Sequence, residues 1–260
     1  MRRSQALKLL ILFTGLLLLS ACVVEPADNA SWTIEQRVNL HTRLGIGYLQ
    51  QRRLAAAQEE LEFALELDAV HSSANHAMAL LQVELGEKNL VEQYFEKALT
   101  GDPKNLAARN DYGMYLCESD RIEAGIEELK KVLEDPLNDS RYRGHFAMAA
   151  CFSKRKQYHE AAHHLATALA ARPQNRFILY ESAVVSHELE NFLSARGYLE
   201  RYFEEGTPSA DSLLLAVINE LRLGSDELVQ LYAYQLRSNY PTSLQAKQAR
   251  SLLAENKPDG

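Results

Sequence analysis

The chain contains a helical-hairpin pattern that recurs six times at a spacing of 34 residues, with a single shift of two residues. Each window has a small or short residue on a first helix, followed 12, 16 and 19 positions later by small or apolar residues on a second helix. The first residue of each set is Gly45, Ala79, Gly113, Ala149, Ala183 or Val217. Six windows in near-constant register argue against chance Ala/Leu coincidences. They predict a solenoid in which each hairpin packs on its neighbours.

These positions resemble the tetratricopeptide consensus. A small residue within a helix lets two helices approach closely, and prolines such as Pro103, Pro173 and Pro241 end the second helices. We predict an all-α tetratricopeptide-repeat solenoid, a right-handed superhelix of six helical hairpins with a C-terminal helix, over residues 37–252. A polar tail follows at 253–260. The predicted repeats span 38–71, 72–105, 106–139, 142–175, 176–209 and 210–243.

Residues 1–21 have the pattern of a secretion signal, with two arginines and a lysine before or within an apolar run that ends at Leu19. The run is too short to span a bilayer comfortably. The segment from Leu19 to Cys22 resembles a bacterial lipobox, which implies that Cys22 becomes the lipid-modified first residue of the mature protein. An ordinary signal peptide with an incidental cysteine is the alternative.

Val23 follows Cys22 at a position where aspartate would resemble an inner-membrane retention signal. We therefore predict a lipid anchor in the outer membrane, with the protein on the periplasmic face and residues 22–36 as a lipidated tether. Removing the signal takes away three basic residues and no acidic ones, so the formal net charge changes from −7 to −7 − 3 = −10. This surface disfavours nucleic acid and anionic membranes as partners.

Two further cysteines, Cys117 and Cys151, lie near the ends of the first helices of the third and fourth predicted repeats. First helices of adjacent repeats are neighbours in such solenoids, so the two sulfurs can meet. In an oxidising periplasm a pair is more often bridged than free. We predict a disulfide that fastens the junction where the two-residue insertion occurs. Two buried thiols acting as small apolar side chains are the alternative.

The sequence lacks the common catalytic patterns GxGxxG, P-loop, GxSxG and HExxH. His159 and His163 are four residues apart and could share a helix face as metal ligands. They fall, however, on the outward side of a second helix, where solvated polar residues are expected. We predict no enzymatic activity, metal, cofactor or small-molecule substrate.

The first helices of such an array line a concave groove. Most positions expected to face it are apolar, with a few polar neighbours, which favours an amphipathic or extended peptide ligand. The predicted groove residues are Ile46, Leu49, His76, Leu80, Val83, Asn110, Met114, Phe146, Phe177 and Tyr180. Alternatively, strong curvature or the chain termini could bury this stripe within the array.

Several segments resemble the PilF/PilW family of outer-membrane lipoproteins of type IV pilus biogenesis. They are the lipobox, the opening Leu44–Leu49, Asn110–Gly113 with the following Leu116-Cys117, and the ending Tyr240–Ser243. The resemblance implies a pilotin that binds the secretin subunit and promotes its outer-membrane localisation and multimer assembly. We expect the protein itself to be a monomer.

The sequence departs from the family pattern at two positions. Ala69 replaces a usual proline, and Asp111 replaces a usual second asparagine. Neither change removes an apolar groove residue. A general periplasmic scaffold lipoprotein, one that organises peptidoglycan enzymes or outer-membrane protein assembly, is the alternative function.

Overall fold

The computed structural model describes residues 32–134 and 138–255. The predicted signal, Cys22, most of the tether and the last five residues of the tail lie outside the described residues. Within the described ranges the chain forms thirteen helices. They are α1 Ile34–Gln50, α2 Leu54–Leu67, α3 Ser72–Leu85, α4 Lys88–Gly101, α5 Leu106–Glu118, α6 Ile122–Glu134, α7 Arg141–Lys154, α8 Tyr158–Ala171, α9 Arg176–Glu188, α10 Phe192–Glu204, α11 Ala210–Leu223, α12 Asp226–Asn239 and α13 Leu244–Glu255.

The helices pair as six antiparallel hairpins, from α1–α2 to α11–α12, because short turns connect the two helices of each pair. Each hairpin packs on the next one along the chain, and α13 packs on α11 and α12. The buried side chains form clusters between successive hairpins, as expected when each repeat buries its apolar face against its neighbour. The predicted all-α solenoid is confirmed.

The sequence spacing has a direct steric cause inside each hairpin. A Cβ atom on Gly45 would lie 2.6 Å from Cγ of Leu61, and one on Gly113 would lie 2.7 Å from Cγ of Leu129. Both leucines are fully buried. The small residue of the first helix therefore faces the leucine 16 positions later. A larger side chain at the glycine would have to displace this leucine or push the two helices apart.

The first helix begins earlier than the repeat pattern indicates. Helix α1 starts at Ile34, four residues before the predicted start at 38 and within the predicted tether. Thr33 supplies a capping box: its hydroxyl accepts the Gln36 backbone N–H at 3.2 Å, and the Gln36 side chain accepts the Thr33 N–H at 2.9 Å. This start signal lies outside the repeating unit, so counting repeats does not reveal it.

The third and fourth hairpins are joined covalently. Cys117 on α5 and Cys151 on α7 form a disulfide between two buried side chains. Beside it, a Cβ atom on Gly125 of α6 would lie 2.5 Å from both Sγ of Cys117 and the backbone oxygen of Gly113. Helices α5, α6 and α7 are therefore in close contact around the disulfide.

We find no helix within residues 32–134 and 138–255 that is long and apolar enough to cross a membrane.

Candidate partner-binding groove

The predicted groove residues all lie on first helices, and most of them are half-buried. Ile46 and Leu49 on α1 pack against the buried cluster between the first and second hairpins. Leu80 and Met114 pack in the same way on the next clusters along the array, which hold buried residues of α3 to α7. Such side chains are anchored on their inner side and keep part of their apolar surface accessible to a ligand.

The fourth and fifth hairpins continue this stripe with aromatic residues. Phe146 and Tyr180 pack against the cluster formed by α7 to α10. Phe177 differs from them, because 76 % of its surface is exposed, near the start of α9. Val83, near the end of α3, is 40 % exposed. The groove positions therefore range from partly packed side chains to fully projecting ones.

The polar residues of the groove form a short network between neighbouring first helices. His76 on α3 lies 2.8 Å through Nε2 from Oδ2 of Asp111 on α5. Asn110 donates from Nδ2 to Oδ1 of Asp111 at 3.3 Å. Asp111 thus links the two predicted polar residues, although the sequence identified it only as a departure from the family pattern.

Asn110 is more deeply placed than a groove position suggests, with 8 % of its surface exposed. Among the described residues, its Oδ1 atom has no hydrogen-bond partner. Asn110, Ser140 and Arg143 line a cavity of about 140 Å³ between α5 and α7. A buried acceptor that lacks a donor carries a free-energy cost.

Tyr180, on the later first helix α9 of the groove, is uncharged at neutral pH. Burial, followed by the negative charges of Asp211 and Glu181, raises the pKa of Tyr180 to about 12. Burial also raises the pKa of Glu181 above its ordinary value. The Tyr180 hydroxyl therefore keeps its proton at neutral pH and can donate a hydrogen bond to a partner.

A second set of polar contacts lies between the two helices of single hairpins, always 19 residues apart. His41 Nδ1 is 2.6 Å from Oε2 of Glu60, and Arg109 Nη1 is 2.5 Å from Oε2 of Glu128. In the fourth hairpin the same two positions carry His145 and His164, whose Nδ1 atoms are 2.9 Å apart. The Arg109–Glu128 pair combines opposite charges, whereas two histidines cannot both hold a proton at this distance without repulsion.

The histidine pair is held in its neutral form. Burial, followed by the positive charges that His145 and His163 would carry, lowers the pKa of His164 to about 4. Burial, Arg141 and His163 lower the pKa of His145. Phe152 stacks on the His164 ring with centroids 5.4 Å apart.

The outer histidines of the same hairpin, His159 and His163, are exposed, as expected for the outward side of a second helix. His164 differs, because it turns inward to meet His145. Within the ranges that the structure describes, no group of three or more potential ligands is placed to hold a metal ion.

Tandem hairpins with small residues at the helix crossings and a stripe of side chains along the first helices define a tetratricopeptide-repeat protein. This class of solenoid presents a long concave surface for binding other proteins. No family model matches the chain.

The chain is 27% identical over 231 residues to the type IV pilus assembly protein PilF of Pseudomonas aeruginosa, over 87% of this chain and 91% of PilF. The solved structure of Pseudomonas aeruginosa PilF matches with a TM-score of 0.74 and 25% identity, over 84% of this chain and 98% of PilF. PilW, a widely conserved type IV pilus biogenesis factor, matches with a TM-score of 0.77 and 26% identity, over 82% of this chain and 98% of the PilW chain. The resemblance predicted from the sequence is confirmed.

Proposed function

We propose that this protein is a non-enzymatic type IV pilus biogenesis factor that binds the secretin subunit in the periplasm. Its role is to promote localisation of the secretin to the outer membrane and its assembly into a multimer. Similarity to PilF and PilW over more than four-fifths of the chain supports the pilus role. The observation that carries the binding proposal is the stripe of half-buried apolar side chains along the first helices.

The early groove suits an apolar segment of the partner. Leu49 and Leu80 lie on neighbouring first helices, and each is anchored by a buried cluster beneath it. Rigid, pre-formed apolar sites bind with little loss of side-chain entropy. The polar network of His76, Asn110 and Asp111 continues the same surface and supplies hydrogen-bonding groups for a peptide backbone.

The anchor is the second part of the proposal. Cys22, which lies outside the described residues, carries the lipid and so sends both the protein and its bound partner to the outer membrane. Cys22→Ala is expected to leave the helical content unchanged and to release the protein from the membrane fraction. Unchanged membrane fractionation of this variant would overturn the lipidation.

The first test is deletion of the gene, followed by membrane fractionation of the secretin in unboiled samples. We expect loss of the outer-membrane multimer, with secretin monomer still present. An intact multimer in the outer membrane would overturn the proposed function and favour a general periplasmic scaffold.

The groove is tested with Leu49→Glu and Leu80→Glu. Each places a charge on a surface that the apolar segment of the partner would cover, so we expect binding of the secretin's periplasmic part to weaken about tenfold or more, or about 1.4 kcal/mol. Leu90→Glu is the matched control, because Leu90 is also partly exposed (38 %) but lies on the second helix α4. Circular dichroism checks that the fold is retained. Equal binding by all three variants would show that the partner does not use this groove.

A further inference from the structure

The start of the first hairpin exposes apolar side chains that the array itself does not use. Trp32 is 54 % exposed just before α1, and Ile34 is 61 % exposed at its first position. Val70, which is 56 % exposed, lies in the turn between α2 and α3. Since α1 and α2 run antiparallel, this turn is at the same end of the hairpin as the start of α1.

The capping box between Thr33 and Gln36 determines how the chain enters α1, directly after Trp32. Trp32 then shares one side of α1 with Gln36, Asn39 and Arg43, which together line an open depression. An indole ring is apolar but carries a polar N–H, and such rings are enriched where hydrocarbon meets water. Arginine in the same surface can bind lipid phosphate groups.

This surface lies close along the chain to the proposed lipid anchor, which indicates that it contacts the membrane. Cys22 precedes Trp32 by ten residues, and a chain of that length spans at most about 35 Å when fully extended. We propose that the membrane-facing end of the protein, defined by Trp32, Ile34 and Val70, rests in the headgroup region of the bilayer that holds the lipid on Cys22. This inference relies on the proposed lipid anchor.

The charge distribution restricts the contact to this end. Without the predicted signal, the chain has a formal net charge of −7 − 3 = −10, which opposes a close approach to anionic lipid. Helix α1 carries Arg37 and Arg43 against a single acidic residue, Glu35. The groove residue Leu49 lies 15 positions after Ile34, or about 22 Å further along the helix axis. Contact at the helix start would therefore keep the early groove clear of the headgroups and open to the periplasm.

The chain contains one tryptophan, so intrinsic fluorescence reports on Trp32 alone. The full-length lipidated protein is reconstituted in vesicles of phosphatidylethanolamine and phosphatidylglycerol, with and without bromine on the acyl chains. Because brominated chains quench only nearby tryptophan, we expect them to lower the Trp32 emission about twofold. Ile34→Gln is expected to remove at least half of this quenching, since it weakens the contact but leaves the tether unchanged.

A double variant, Trp32→Phe with Leu193→Trp, is the positional control. Leu193 is 68 % exposed near the start of the second helix α10, at the opposite end of its hairpin. Its tryptophan is expected to show no quenching. Equal quenching at both positions, or quenching unaffected by Ile34→Gln, would overturn the contact and leave a simple tether.

Flotation separates the proposed membrane contact from the proposed lipid anchor. A protein that floats with the vesicles but has unquenched Trp32 overturns the contact alone. A protein that does not float with the vesicles overturns the anchor and the contact together.

Discussion

The first hairpin and the junction between the third and fourth hairpins have the same fold but different chemistry. At the junction, a disulfide joins Cys117 to Cys151, and Gly125 admits a neighbour so close that a methyl group has no room. In the first hairpin, a methyl group on Gly47 would meet no atom within 4 Å, and Trp32 projects from the helix start. The junction is tightly packed between hairpins, whereas the first hairpin leaves part of its surface exposed.

This difference follows from the position of each hairpin in the array. In a solenoid each repeat contacts only its neighbours, so stability is close to a sum of local contacts and interfaces. An inner junction must hold two hairpins together, and here it also includes the predicted two-residue insertion. Within residues 32–134 and 138–255, the first hairpin has a neighbouring hairpin on one side only, which leaves its other surface available for a ligand or a membrane.

Removing the disulfide should lower the free energy of unfolding more than any change in the first hairpin. Its cysteines are 34 residues apart, and closing a loop of this size stabilises the folded state by about 3–4 kcal/mol in the chain-entropy model. We expect the Cys117→Ala/Cys151→Ala variant to lose about this much free energy of unfolding, measured by urea denaturation. A loss below about 1 kcal/mol would show that packing alone secures the junction.

Gly125→Ala should also destabilise the junction. The added methyl group would lie 2.5 Å from the backbone oxygen of Gly113, which cannot move without shifting α5. Overpacking of this kind costs about 1–3 kcal/mol, and we expect a loss at the upper end, measured by urea denaturation. An unchanged free energy of unfolding would mean that α5 and α6 separate easily, which contradicts a tightly packed junction.

Acid should weaken the fourth hairpin through its histidine pair. The pKa of His164 is lowered from 6.5 to about 4 in the folded protein. The unfolded state therefore binds a proton first, and stability is lost as the pH falls from about 6.5 towards 4. Allowing for the partial exposure of the ring, we expect His164 to account for about 1–2 kcal/mol of the loss between pH 7 and pH 4.5.

The measurement compares His164→Gln, which cannot take up this proton, with the original protein in urea at both pH values. His159→Gln is the matched control, because His159 lies on the exposed side of the same helix. The His164 variant should lose less stability in acid, while the control should behave like the original protein. The same acid sensitivity in all three would assign the effect to other groups.

The period of the sequence predicted what the repeats share. Gly45 and Gly113 identified the helix crossings, and the spacing of Cys117 and Cys151 identified two neighbouring helices. The repeat also places two contacting side chains 19 positions apart. His41–Glu60, Arg109–Glu128 and His145–His164 are three such pairs at equivalent positions. This signal is present in the sequence, but only His159 and His163, the outward histidines of the same helix, were singled out from it.

Features that occur only once were missed. The capping box of Thr33 and the exposed Trp32 precede the first repeat, so no equivalent position draws attention to them. The unsatisfied oxygen of Asn110 depends on how α5 and α7 approach each other. That approach is set by the tertiary packing of the junction, which a single sequence does not define.

Gly47→Ala should have the smallest effect, and its sign should be opposite to that of Gly125→Ala. Both glycines lie within helices, where alanine is favoured by about 0.5–1 kcal/mol. At Gly47 nothing opposes this gain, because the new methyl group would meet no atom within 4 Å. We expect an increase in the free energy of unfolding of that size, measured by urea denaturation beside Gly125→Ala. A loss of stability would show that the outer side of α1 is covered, since only a covering group could make the added methyl unfavourable.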